Sequence, residues 1–312
     1  MSKIFSYIRD FYQQGFHAGY FFFILLMMAA LIYVNYRHGL DSEWIGRFNR
    51  NYKMIFAYWL LFAGTFATAY LAYSLFTNDF SYWKQPVFIL LLIIAPLIFA
   101  YQQYFYFHRE WIQDHAGTNM VRYYSLASEY IIRVILLLIP TFIIWTILDK
   151  DKQLFYGFSK NIEGYRPYWT MLLIMLPLII FASTQKDFLT YYPKAKVIAQ
   201  TGATGWRKVW LTIQFELAYG FNFITIESFF RGFLILAFVQ YSGKAAIIPM
   251  ACFYCTIHFG KPVFECISSF FGGLLLGIVV YNTKSIWGGL MVHLGIAWLM
   301  EAGAIIGNFF RK

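Results

Sequence analysis

Hydrophobic positions along this chain fall into long unbroken runs, and polar positions gather between them. Nine stretches are predicted as bilayer-crossing helices: Gly19–Tyr36, Met54–Leu75, Pro86–Phe107, Ile131–Leu148, Tyr168–Phe181, Val209–Val239, Ala245–Phe259, Val263–Tyr281 and Ile286–Gly307. A helix needs about 20 apolar residues to cross the hydrocarbon core. The short alternating segments of a transmembrane barrel do not occur. The expected fold is therefore all-α, a polytopic helical membrane protein with about eight to nine transmembrane helices; eight applies if one of the shorter stretches is re-entrant. Val209–Val239 is too long for one straight span, so it is expected to tilt, to project from the membrane, or to break near Gly220.

Composition supports this class. Of 312 residues, 60% are hydrophobic and only 13% charged, against about 25% charged in soluble domains; the mean hydropathy is +0.55. The net charge is +10, and Lys and Arg gather in the loops Arg37–Lys53, Lys150–Arg166 and Lys186–Lys208. That placement points to anionic lipid and away from nucleic acid. The positive-inside rule puts Arg37–Lys53 and Lys186–Lys208 on the cytoplasmic side. Aromatic residues cluster near span ends, as interfacial belts do. The N-terminal segment lacks a small-residue cleavage pattern, so the first apolar run is expected to stay as a span. Cys252, Cys255 and Cys266 lie in or beside spans, which argues against a disulfide framework.

The character of the chain changes near residue 205. Before it, spans carry almost no ionisable groups and loops are long. After it, loops shorten, and Gly272, Gly273, Gly277, Gly288, Gly289 and Gly295 enter the spans, where glycine lets helix backbones approach closely. Residues 1–204 are thus expected to form a transmembrane scaffold, and residues 205–312 a compact bundle around a polar centre.

That centre is set by a few ionisable residues in apolar surroundings. Such residues are costly at membrane depth and are functional-site candidates by default. Glu227 and Arg231 are four apart, one turn along a helix face. His258 closes an apolar run just before Gly260 and Pro262, and His293 lies inside the last span. A carboxylate with an imidazole is the minimum set for activating water, and a second imidazole can stabilise an oxyanion. Read blandly, Glu227 and Arg231 form a self-neutralising pair, and each histidine is a hydrogen-bonded core residue. Glu216, Glu265 and Glu301 are spare acids in the same region. The series Cys252, Cys255, His258 invites a zinc reading, but three residues at intervals of three drift around a helix and converge poorly on one ion. No nucleophile elbow, phosphate loop or H-E-x-x-H pattern is present.

Three stretches taken in order carry a resemblance: Glu227-Ser-Phe-Phe-Arg231-Gly232, Tyr254-Cys-Thr-Ile-His258, and Ser285-Ile-Trp-Gly-Gly-Leu-Met-Val-His293. They resemble the CPBP family, the type II CAAX prenyl proteases and the bacteriocin-processing or self-immunity proteins, over about residues 205–305. The resemblance implies an intramembrane endopeptidase in which a glutamate and the first histidine activate water while the last histidine and an asparagine bind the oxyanion. Carried over, the implied catalytic set is Glu227, His258 and His293, with Arg231 orienting and charge-balancing the acid. Two positions depart from the family pattern. Ile226 stands where a first glutamate is usual, and Ala297 stands where the asparagine is usual, so either the chain is a non-catalytic relative or Glu227 takes the base role.

The expected function is hydrolysis of a peptide bond in a membrane-associated protein or peptide. The implied setting is a multi-pass protein of a bacterial cell (inner) membrane, with the lipid bilayer as its other partner and no nucleic acid. No cofactor is expected, although two histidines and a glutamate leave zinc open. The rival reading, favoured by Ile226 and Ala297, is a catalytically inactive scaffold or a self-immunity, partner-binding protein. A proton-coupled transporter is a third reading, disfavoured by the lack of an internal repeat.

Overall fold

The computed structural model describes residues 3–14, 16–162 and 164–310. In chain order its α-helices are α1 (Lys3–Gln14), α2 (Ala18–His38), α3 (Lys53–Thr77), α4 (Pro86–Tyr104), α5 (Phe107–His115), α6 (Val121–Leu148), α7 (Arg166–Ala182), α8 (Lys186–Tyr191), α9 (Lys196–Ala199), α10 (Gly205–Glu227), α11 (Leu234–Leu236), α12 (Val239–Ser242), α13 (Ile247–Thr256), α14 (Val263–Thr283) and α15 (Trp287–Phe310). Among the described residues no strand forms, and the one isolated β-bridge joins Phe158 to Ser285. The fold is all-α and polytopic.

Seven segments among the described residues are long and apolar enough to cross a membrane: Ala18–His38, Lys53–Thr77, Pro86–His115, Val121–Leu148, Gly205–Thr256, Val263–Thr283 and Trp287–Phe310. Each of the nine predicted stretches falls on a helical segment, but α7 is only 17 residues long and α13 only 10. α6 begins at Val121, earlier than the apolar run at Ile131. Its polar first turns are stabilised by Arg133, which pairs with Glu129 at 3.1 Å, one turn away, and donates to Asn222 Oδ1 at 3.0 Å. Hydropathy alone cannot see such a turn. α10 runs through Gly220 without a break, and the irregularity falls later, where Ser228–Phe233 winds as a π-helix.

The chain divides into two compact units: one of residues 1–104, 140–163 and 228–287, the other of residues 105–139, 164–227 and 288–312. This division by packing draws each unit from both sides of residue 205, where the composition changes.

In the first unit α13 is central. All ten of its residues are buried, as expected of a helix that is apolar all round. It packs on α14 and α3, and α3 packs on α4. Close approach to α14 relies on missing side chains. A Cβ at Gly277 would lie 2.8 Å from Met250 Cε, and one at Gly273 3.2 Å from the Tyr254 ring. Cys252, Cys255 and Cys266 are buried thiols in this core, none in a disulfide. The turn between α13 and α14 ends at Pro262, the residue just before α14, whose ring suits a helix start.

In the second unit α15 lies against α7 through glycines. A Cβ at Gly288 would sit 2.0 Å from Tyr168 Cζ, and one at Gly295 2.8 Å from Leu172 Cδ2. Further along α15, Gly303 and Gly307 meet Ser183 in the same way. Tyr123 donates to the Leu211 carbonyl at 2.8 Å and ties α6 to α10, while Tyr130 packs on Phe215 and Tyr219.

Candidate active site

Glu227 is the last residue of α10, and its side chain is wholly buried. An apolar helix needs a partner for such a group. Within the second unit that partner is His293 on α15, whose Nδ1 lies 2.8 Å from Glu227 Oε1. A carboxylate can only accept, so Nδ1 carries the proton and Nε2 becomes the basic nitrogen of the neutral ring. Phe223, one turn before Glu227 on the same face, sets its ring edge-on to the imidazole with centroids 4.7 Å apart. The imidazole is thus fixed from two sides. The His293 side chain keeps 16% of its exposure whereas Glu227 keeps none, so the pair presents imidazole outward with carboxylate behind it.

Arg231 and His258 belong to the first unit. Arg231 lies on the π-helical turn and is 1% exposed. Its guanidinium carbon stands 3.8 Å from the centre of the Tyr254 ring, a cation–π contact of the kind that strengthens with desolvation. The same tyrosine anchors His258: the carbonyl of Tyr254 accepts from Nδ1 at 2.9 Å, and the two rings stand 4.6 Å apart. Nδ1 of His258 therefore also carries its proton, leaving Nε2 basic. Tyr254 thus holds both Arg231 and His258, a role the sequence did not reveal. The available signal was its position one turn before His258.

Gly232 follows Arg231 in the π-helical turn. It admits a loop backbone. A Cβ there would lie 2.5 Å from the carbonyl oxygen of Tyr156. The loop after α6 is held against this turn at several points. Tyr156 donates to Asp149 Oδ2 at 2.7 Å, Gln153 Nε2 to the Leu236 carbonyl at 3.1 Å, and Gln240 Nε2 to Asp149 Oδ1 at 3.0 Å. Ile286 N donates to the Gly157 carbonyl at 2.9 Å, and Ser285 Oγ to the Ser159 carbonyl at 2.6 Å.

The spare acids are engaged elsewhere. Glu301 accepts the backbone N–H groups of Lys194 and Ala195 at 2.7 and 3.1 Å. Glu216 accepts from Trp298 Nε1 at 3.1 Å, and Glu265 pairs with Lys261 at 2.6 Å. Among the described residues, no group of three or more His, Cys, Asp or Glu side chains is arranged to hold a metal ion. The two positions that depart from the family pattern, Ile226 and Ala297, are buried, at 6% and 4% exposure.

Residues 208–299 match the family model described as type II CAAX prenyl endopeptidase Rce1-like. Over this stretch the chain is similar to the CPBP family. No curated protein and no solved structure matches it. The matched CPBP segment begins in α10 and ends in α15, so it contains Glu227, Arg231, His258 and His293 together with Ile226 and Ala297. The match supports a CAAX-type intramembrane endopeptidase at the level of the family, and the seven long apolar segments support an integral membrane protein.

Proposed function

We propose that this protein hydrolyses a peptide bond of a membrane-associated protein or peptide, using Glu227 and His293 to activate water. The observation that carries the proposal is the 2.8 Å contact between the buried Glu227 carboxylate and His293 Nδ1. Nε2 of His293 takes a proton from water while the oxygen attacks the carbonyl carbon. The carbonyl π pair moves to its oxygen, giving a tetrahedral oxyanion. Collapse breaks the C–N bond, and the imidazolium returns its proton to the departing nitrogen. Glu227 stabilises the imidazolium in between and holds the ring in the productive tautomer. General acid–base assistance of this type contributes about 10²–10⁴ in rate. His258 and Arg231 are proposed members of the catalytic set through their match to the family motifs. The proposed location is a bacterial cell membrane.

Ile226 and Ala297 favour a second reading, a CPBP-type scaffold that binds a membrane peptide without cleaving it. One experiment separates the two. The purified protein is reconstituted in proteoliposomes and given quenched-fluorescence membrane peptides, with and without a prenylated cysteine near the C-terminus. Cleavage by the wild type that falls about 10²–10⁴-fold in Glu227→Gln and His293→Ala supports the peptidase. Cleavage unaffected by either change removes the dyad from the mechanism. Binding without turnover, lost in the same variants, establishes the scaffold.

A further inference from the structure

A second polar site lies in the first unit, and the peptidase reading does not use it. A cavity of about 340 Å³ opens where α2 ends and where the α13–α14 turn passes, lined among others by Asn35, Arg37, Asp41, Glu43, Gly260 and Lys261. Its volume falls at the low end of the roughly 300–1,000 Å³ typical of small-ligand sites. Two cationic and two anionic side chains share the lining, and Lys261 also pairs with Glu265 at its edge.

The lining is built. Asn35 is 5% exposed, donates to the Phe259 carbonyl at 2.9 Å, and accepts from the backbone N–H of Asp41 at 3.0 Å. Tyr36 donates to the Lys261 carbonyl at 2.6 Å. Asp41 is oriented by the Tyr58 hydroxyl at 2.8 Å. Gly39, in the left-handed conformation at φ 64°, leaves room for Glu43 to fold back over it; a Cβ there would lie 2.7 Å from Glu43 Cγ. The connection between α2 and the turn at Phe259–Lys261 therefore fixes where the Asp41 carboxylate and the Lys261 backbone stand.

The cavity also sits at the edge of the apolar zone. α2 ends at His38 and α3 begins at Lys53. Between them, Trp44 and Tyr52 are exposed at 51% and 70% beside Arg47 and Arg50. Aromatic and basic residues together mark the headgroup level of a bilayer.

We infer that this cavity binds a phosphoethanolamine head, with Arg37 and Lys261 toward the phosphate and Asp41 and Glu43 toward the ammonium. Opposite charges in one small cavity call for a zwitterion. A primary ammonium gives N–H donors that two carboxylates can accept, whereas the quaternary ammonium of choline has none. The inference is independent of peptidase activity.

The test is native mass spectrometry of the full-length protein, released from nanodiscs containing equal amounts of phosphatidylethanolamine, phosphatidylcholine and phosphatidylglycerol. Retention of phosphatidylethanolamine over each of the others by about tenfold, the value of one charge-assisted hydrogen bond, is expected for the wild type. Glu43→Gln should erase the preference over phosphatidylcholine, and Arg37→Ala should lower retention of all three lipids. Asp41→Asn should act like Glu43→Gln, but it also alters the bond to Tyr58; the exposed Glu43 therefore carries the test if Asp41→Asn folds poorly. Soluble O-phosphoethanolamine distinguishes the source. Displacement of the lipid shows that the free head suffices, and no displacement assigns the site to the membrane-borne form. Equal retention of phosphatidylethanolamine with either other lipid by the wild type, or a preference that survives Glu43→Gln, overturns the inference.

Discussion

Substituting alanine for Gly232 probes the seam between the π-helical turn and the loop after α6. The new Cβ would lie 2.5 Å from the Tyr156 carbonyl oxygen, 3.3 Å from its carbon and 3.4 Å from the Tyr156 Cβ. These are backbone atoms or atoms next to them, so no side-chain rotation relieves the clash. The loop also cannot simply recede, because Ile286 N holds the Gly157 carbonyl and Asp149 holds the Tyr156 hydroxyl. Overpacking of this kind costs about 1–3 kcal/mol. Replacing a helical glycine by alanine returns about 0.5–1 kcal/mol, leaving a net loss of up to about 2.5 kcal/mol. Gly220→Ala is the matched control. Gly220 lies inside α10, and a Cβ there meets nothing within 4 Å, so this variant should gain about 0.5–1 kcal/mol. The difference between the two variants isolates the overpacking. Thermal unfolding in detergent measures it, and hydrogen exchange across residues 149–159 shows whether the loop has loosened. A Gly232→Ala protein as stable as Gly220→Ala, with unchanged exchange in the loop, would refute the reasoning.

Other substitutions separate structure from chemistry. Tyr156→Phe removes a hydrogen bond to a carboxylate and should cost about 1.5–3 kcal/mol, read from the unfolding midpoint. Burial first, and the Asp149 carboxylate next, push the Tyr156 hydroxyl above its ordinary 10.0. The stability linked to this group is complete below pH 10 and is lost as pH rises toward the folded value, so wild-type stability should fall more steeply above pH 10 than that of Tyr156→Phe. Glu301→Ala should reduce membrane abundance, because two backbone N–H groups lose their acceptor at about 1–3 kcal/mol each if left unsatisfied. Glu265→Gln should stay within about 1 kcal/mol of wild type, since its pair with Lys261 is partly exposed. At matched abundance both should retain turnover that Glu227→Gln loses; equal loss in all three would deny Glu227 a special role. Arg231→Ala should lower the amount of folded protein by removing a desolvated cation–π contact worth about 2 kcal/mol, and Arg231→Lys should recover only part of it because an ammonium lacks the planar stacking face; full recovery would show that charge alone matters there.

The spans were legible because the bilayer enforces one rule on every crossing segment, and runs such as α2 and α14 obey it throughout. The start of α6 was not legible, since its first turns are stabilised by Arg133 pairing with Glu129 and Asn222. Nor was the π-helical turn at Ser228–Phe233: apolar residues continue through it, and the winding changes without a change of hydropathy. Glu227, Arg231, His258 and His293 stood out singly because each is expensive in lipid. Their pairing did not, because contacts such as Glu227 with His293 depend on how α10 and α15 are rotated. The family resemblance set Glu227 beside the first histidine; the hydrogen bond found in its own unit is to the last. Tyr254 escaped notice because an aromatic residue in an aromatic-rich chain carries no compositional signal.

Beside its side-chain anchors at Asp149, Gln153 and Tyr156, the loop across Gly232 meets its unit through its own main chain. The carbonyls of Tyr156, Gly157 and Ser159 face Gly232, Ile286 and Ser285 in turn. Every residue type offers the same carbonyl, so substitutions at Phe158 or Ser159 leave these atoms in place. Removing a single residue between Asp149 and Ser159 moves all of them by one peptide. Among descendants of this protein, Phe158 and Ser159 should therefore vary while the length of the stretch stays constant, and a deletion there should unseat the Arg231 turn although no residue of that turn has changed.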